Sequence, residues 1–81
     1  MAWEAFNGSM NAGETQYWWY TFGSDQGVQL ALANPFGYNA QLISSNYGKQ
    51  RNSDGSVTYY VTVTNNGPEP VTFDLQGGGV S

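Results

Sequence analysis

The 81-residue chain has no cysteine, no histidine and only two basic residues. Without cysteine no disulfide can staple the fold, and thiol nucleophiles and thiolate metal sites are excluded. Without histidine the Ser-His-Asp and Cys-His constellations go too, as do histidine-ligated metals. Lys49 and Arg51 stand against six acids, giving a net charge of −4. Phosphate recognition needs a basic stripe, so nucleic acid is not an expected partner, and an anionic membrane surface is disfavoured for the same reason. No apolar run approaches the roughly 20 residues a spanning helix requires.

Catalysis has little left to work with. A pair of carboxylates could cleave a glycoside, but Glu4, Glu14, Asp25, Asp54, Glu69 and Asp74 fall mostly in predicted turns, where solvation explains them. Asn52-Ser53-Asp54-Gly55 has part of the look of a calcium loop but lacks the spaced carboxylates and terminal glutamate of one, so it reads as a hairpin turn. The expectation is a protein that is not an enzyme and uses no metal or cofactor.

Charged residues are also scarce, at 10% against the usual quarter or so. Solubility must come from Asn, Gln, Ser, Thr and Gly, a composition common in secreted β-sandwiches. Met1-Ala2-Trp3-Glu4 has neither the basic start nor the apolar run of a secretory leader. Composition therefore leads us to expect an extracellular protein whose leader is not part of this chain. Asn7-Gly8-Ser9 matches the short glycosylation sequon.

What is present is alternation at period two. Val57, Tyr59, Val61 and Val63 alternate with Thr58, Tyr60, Thr62 and Thr64, which marks a strand with one buried face. After the turn cluster Asn65-Asn66-Gly67-Pro68 the pattern resumes as Val71, Phe73 and Leu75, predicting an antiparallel hairpin. Thr15 to Phe22 reads as a strand, and Val28, Leu30 and Leu32 alternate with Gln29, Ala31 and Ala33 in another. A further strand is expected from Tyr38 to about Ser45, an edge strand from Ala2 to Phe6, and a long loop from Asn46 to Ser56. The spacing predicts an all-β fold, a small antiparallel β-sandwich or barrel of about six to seven strands. Residues 1–76 form the single domain in this reading, and residues 77–81 a glycine-rich tail.

The densest feature is Tyr17-Trp18-Trp19-Tyr20, four consecutive aromatics. Successive strand side chains point to opposite faces, so only one pair can enter a single core. Trp18, Tyr20 and Phe22 form the core-like stripe, leaving Tyr17 and Trp19 facing outward. Outward rings fit either loop packing or a platform for sugar rings, with Asn, Gln and Asp bonding the hydroxyls. Tyr47, Lys49 and Arg51 alternate in the predicted loop, where Tyr47 could stack and Arg51 could grip a ligand carboxylate.

Tyr60-Val61-Thr62-Val63-Thr64-Asn65-Asn66-Gly67-Pro68 resembles the closing strands of bacterial extracellular immunoglobulin-like repeats. The order of Gly8, Gly13, an aromatic strand at Thr15 to Phe22, an aliphatic strand at Val28 to Leu32 and a closing Tyr-x-Val segment is similar to pre-peptidase C-terminal domains. That resemblance implies an accessory module of a secreted enzyme, sometimes binding polysaccharide or collagen. Calcium-binding members carry acids near the first and third strands, whereas Asn39-Ala40-Gln41-Leu42 has none.

Together these features lead us to expect a secreted, non-catalytic, lectin-like carbohydrate-binding module whose partner is a glycan or polysaccharide. Its expected site comprises Tyr17, Trp19 and Tyr47, with Gln16, Asn46 and Arg51 as polar partners. The alternative is a structural or protein-interaction β-sandwich module, either monomeric within a longer chain or self-associating through its exposed aromatic face.

Overall fold

Six strands follow one another in the computed structural model, which describes the backbone of residues 2–80 and the side chains of residues 7–79. They are β1 (Ala2–Met10), β2 (Thr15–Phe22), β3 (Val28–Pro35), β4 (Leu42–Arg51), β5 (Val57–Asn65) and β6 (Val71–Val80). Two antiparallel three-stranded sheets result, ordered β1-β6-β3 and β2-β5-β4. They pack face to face, as the alternation requires: Val57, Tyr59, Val61 and Val63 of β5 are buried, while Thr58, Tyr60, Thr62 and Thr64 turn away. The fold is a small all-β sandwich with no helix among the described residues.

The core is narrow. Met10, Val63, Phe73 and Leu75 are almost fully enclosed, with Ala31, Ala33 and Val61 beside them and Trp18 and Leu42 packed against the cluster. The Trp18 edge meets Phe73 at 5.8 Å between ring centroids and 85° between planes. Gly8 makes room for this pair, since a Cβ there would stand 2.9 Å from Phe73 Cζ and 3.1 Å from Trp18 Cζ2. Strand β3 turns its small residues Ala31 and Ala33 inward. Its larger residues Val28, Leu30 and Leu32 therefore lie outside, 64%, 51% and 63% exposed.

Three expectations differ from the structure. β5 and β6 do not form a hairpin, because each is the central strand of a different sheet. The turn cluster is an arch between sheets: buried Asn65 donates to the Asn11 and Glu69 carbonyls at 3.2 and 2.8 Å and accepts from Gly67 N–H at 3.0 Å. Among the described residues, the only strands consecutive in sequence that pair are β4 and β5, through the turn where Gly55 adopts φ 92 and Asp54 accepts from Ser56.

Residues 46–51 are strand rather than loop. A bulge at Asn46 and Tyr47 shifts the register between Ser45 and Gly48, so β4 continues to Arg51 with its alternation interrupted. Asn46 takes the left-handed conformation at φ 53, one that asparagine tolerates well. Glycines 77–79 are not a tail either, though Ser81 lies outside the described residues. They sit in β6 between β1 and β3, with Gly77 opposite Trp3 and Ala31, and Gly78 opposite Ala2 and Leu30. Gly79 is required by close approach, since a Cβ there would run into the Val28 carbonyl.

Candidate functional site

The outer face of the β2-β5-β4 sheet gathers the aromatic and polar groups that the core does not use. Pairing places Trp19 of β2 opposite Tyr60 of β5, which lies opposite Gly48 of β4. Tyr17 pairs with Thr62 and then Ser45, and Thr21 with Thr58 and then Gln50. Tyr17 and Trp19 are 73% and 64% exposed, whereas Trp18 between them is half-buried. The Tyr60 ring lies over Gly48, where a Cβ would collide with it. The missing side chain lets the ring settle on the sheet, an arrangement by which aromatics rescue strand glycines.

An open groove of about 320 Å³ runs over this face, lined by Tyr17, Trp19, Asn46, Gln50, Tyr60 and Thr62. The bulge in β4 aims Asn46 into it. Cross-strand hydroxyl pairs, Thr15 with Thr64 at 3.1 Å and Thr21 with Thr58 at 2.9 Å, flank the aromatics. Among the described residues, the Trp19 indole N–H, the Tyr17 and Tyr60 hydroxyls, the Asn46 amide and the Thr62 hydroxyl have no hydrogen-bond partner within the protein. Such groups are available to bond a ligand.

Gln16 lines a second open hollow of about 400 Å³ together with Tyr17, Trp18 and Trp19, whereas Tyr47 and Arg51 lie elsewhere. Gln16 shares the face of Trp18: its amide donates to the Ser9 carbonyl and to Glu14 at 3.0 Å each, and its oxygen accepts from Trp18 Nε1 at 3.1 Å. Tyr47 is swung by the bulge toward β3, where its hydroxyl donates to the Ala31 carbonyl at 2.8 Å. It ties the two sheets together at their edge. Arg51 meets a carboxylate, but it is the protein's own Asp25, at 3.3 Å. Tyr60 joins the groove instead; its strand parity is visible in the sequence, but the facing glycine is not.

Asp25, in the turn between β2 and β3, is the centre of a clasp. It accepts from Lys49 Nζ at 2.8 Å, from Arg51 and from Gly27 N–H at 2.8 Å. Tyr59 holds the same turn by donating to the Gly27 carbonyl at 2.8 Å, with the Lys49 ammonium 5.6 Å from its ring centre. The Lys49 hydrogen bond, then the Gly27 N–H, holds the Asp25 carboxyl below its ordinary range, and the same bond holds the ammonium above its own. Gln16 and the Asn11 N–H depress Glu14, and the Ser56 hydroxyl and N–H depress Asp54.

The sign of the pH dependence follows. A depressed carboxylate contributes stability that is present above its unfolded pKa and lost as pH falls through the folded one. The Lys49 contribution is full below its unfolded pKa and lost as pH rises through the raised one. We expect the thermal midpoint to stay level from about pH 5 to about pH 9 and to fall below about pH 4. In a circular-dichroism series, Asp25→Asn should shallow the acid limb; an unchanged limb would remove the clasp from this account.

Among the described residues no cluster of three metal-ligating side chains occurs. The chain matches no protein-family model, no curated protein and no solved structure.

Proposed function

We propose that the protein is a non-catalytic carbohydrate-binding module of extracellular type, with its site on the outer face of β2-β5-β4. The observation that carries this reading is a pair of outward aromatics, Tyr17 and Trp19, beside a groove rimmed by Asn46, Thr62 and Tyr60 groups that have no partner in the fold. Apolar rings next to unpartnered amides and hydroxyls suit a ligand that presents C–H faces and hydroxyl edges at once, as a pyranose does. Covering a large side chain is worth about 1.5–3 kcal/mol. Trp19→Ala should therefore weaken binding roughly 10- to 100-fold, and Tyr17→Ala should act in the same direction.

A polysaccharide panel read by affinity electrophoresis and tryptophan fluorescence tests this. A hit weakened by Trp19→Ala, in a protein whose thermal midpoint is kept, supports the platform; binding that survives the change intact rules it out. The aliphatic stripe of Val28, Leu30 and Leu32 on the other sheet favours a second reading, an interaction module that self-associates. Light scattering on the same samples separates the two. A stable dimer that is blind to every glycan would favour the second reading.

A further inference from the structure

The groove contains no charge, and that restricts which sugars it can hold. Strands β2, β4 and β5 carry only two charged residues, Lys49 and Arg51. Both lie in register with the inward residues Tyr59 and Val57, and both are turned to Asp25 at the sandwich edge. A carboxylate or sulfate laid along the groove would lose water and meet no cation in return. The net charge of −4 adds a long-range repulsion against polyanions.

The shape narrows the class further. The groove lies across a sheet face and is open. A chain of sugars can therefore pass through it and be bound at internal residues. Tyr17 and Trp19 stand two residues apart on one strand, about 7 Å along it, and Tyr60 lies beside Trp19 on the next strand. This row of rings follows the strand direction. A pyranose stacks well on such a row when its substituents are equatorial, because an axial hydroxyl interrupts the C–H face. Equatorial hydroxyls then point sideways, toward Asn46 and Thr62.

Building on the platform reading above, we infer that the ligand class is a neutral, β-linked polysaccharide with equatorial hydroxyls, bound along β2, and that anionic polysaccharides are rejected. Two cellulose derivatives with the same backbone make the test, neutral hydroxyethyl cellulose and anionic carboxymethyl cellulose, with soluble starch as the α-linked comparison. Affinity electrophoresis at low and high salt should show hydroxyethyl cellulose retarding the protein equally at both. Carboxymethyl cellulose and starch should each bind at least tenfold more weakly. Equal or stronger binding to either comparison polymer would overturn the assignment of class while leaving the platform in place. No retardation by any glycan across the wider panel would instead overturn the platform itself.

Discussion

A chain ending at Gln76 is expected to lose about half or more of its folding stability. Strand β6 is the centre of its sheet, and its residues 77–80 supply the neighbours of Ala2 and Trp3 on one side and of Val28, Gln29, Leu30 and Ala31 on the other. Removing it strips both edge strands of ladder partners at once. At about 1 kcal/mol for each of roughly half a dozen ladder bonds, the loss is of order 5 kcal/mol. A domain of this size has about 4–12 kcal/mol in total. The thermal midpoint read by far-UV circular dichroism should fall steeply. Gly79→Val should approach the same result, because the added Cβ enters the Val28 carbonyl. A truncated chain with an unaltered midpoint would mean that residues 77–81 are the tail their composition suggests.

Phe73→Ala is the point substitution in the core expected to cost most. The ring is fully enclosed, meets the Trp18 edge at 5.8 Å and is opposite Gly8 on β1. Its surroundings cannot collapse easily into the space left, since strands on both sides hold their spacing through the ladders. Such losses are about 3–5 kcal/mol. At a urea slope of about 1–1.5 kcal/mol per molar for a small domain, the unfolding midpoint should fall by roughly 2–5 M. Tryptophan fluorescence reports it, because Trp18 senses the cavity directly. A loss below about 1 kcal/mol would mean that Phe73 is not the keystone of this core.

Much of the fold is legible from local alternation. Strands β2 and β5 pair without a break, so their spans follow from period two, as do the inward face of β5 and the outward position of Tyr17 and Trp19. Tyr20, expected in the core-like stripe with Trp18 and Phe22, is instead exposed. The second half of β4 is hidden because the bulge breaks the period at Asn46 and Tyr47 and the residues after it, Gly48 to Arg51, carry no apolar side chain. The end of β6 is hidden because glycine carries no hydropathy signal, although a missing Cβ is what that position needs. Turn residues announce that the chain reverses after Asn65 without indicating whether it returns in the same sheet or crosses to the other. The same ignorance of lateral order hides Gly48 beneath Tyr60, and it places Arg51 beside a ligand rather than beside Asp25.

The pairing of β1 with β6 sets an order on assembly. Ala2 meets Gly78, residues near opposite ends of the sequence, and β3 must reach the same central strand. During synthesis the β4–β5 ribbon can close locally and β2 can dock onto it, building the aromatic face early. The β1-β6-β3 sheet has to wait until about residue 80 has left the ribosome. Until then the inward sides of β1 and β3 face water without their central strand, and β3 also shows its aliphatic stripe. Closing such distant pairings is slow, on the order of milliseconds to seconds for β-sandwiches. That interval is when this protein is most exposed to aggregation or to capture by a chaperone.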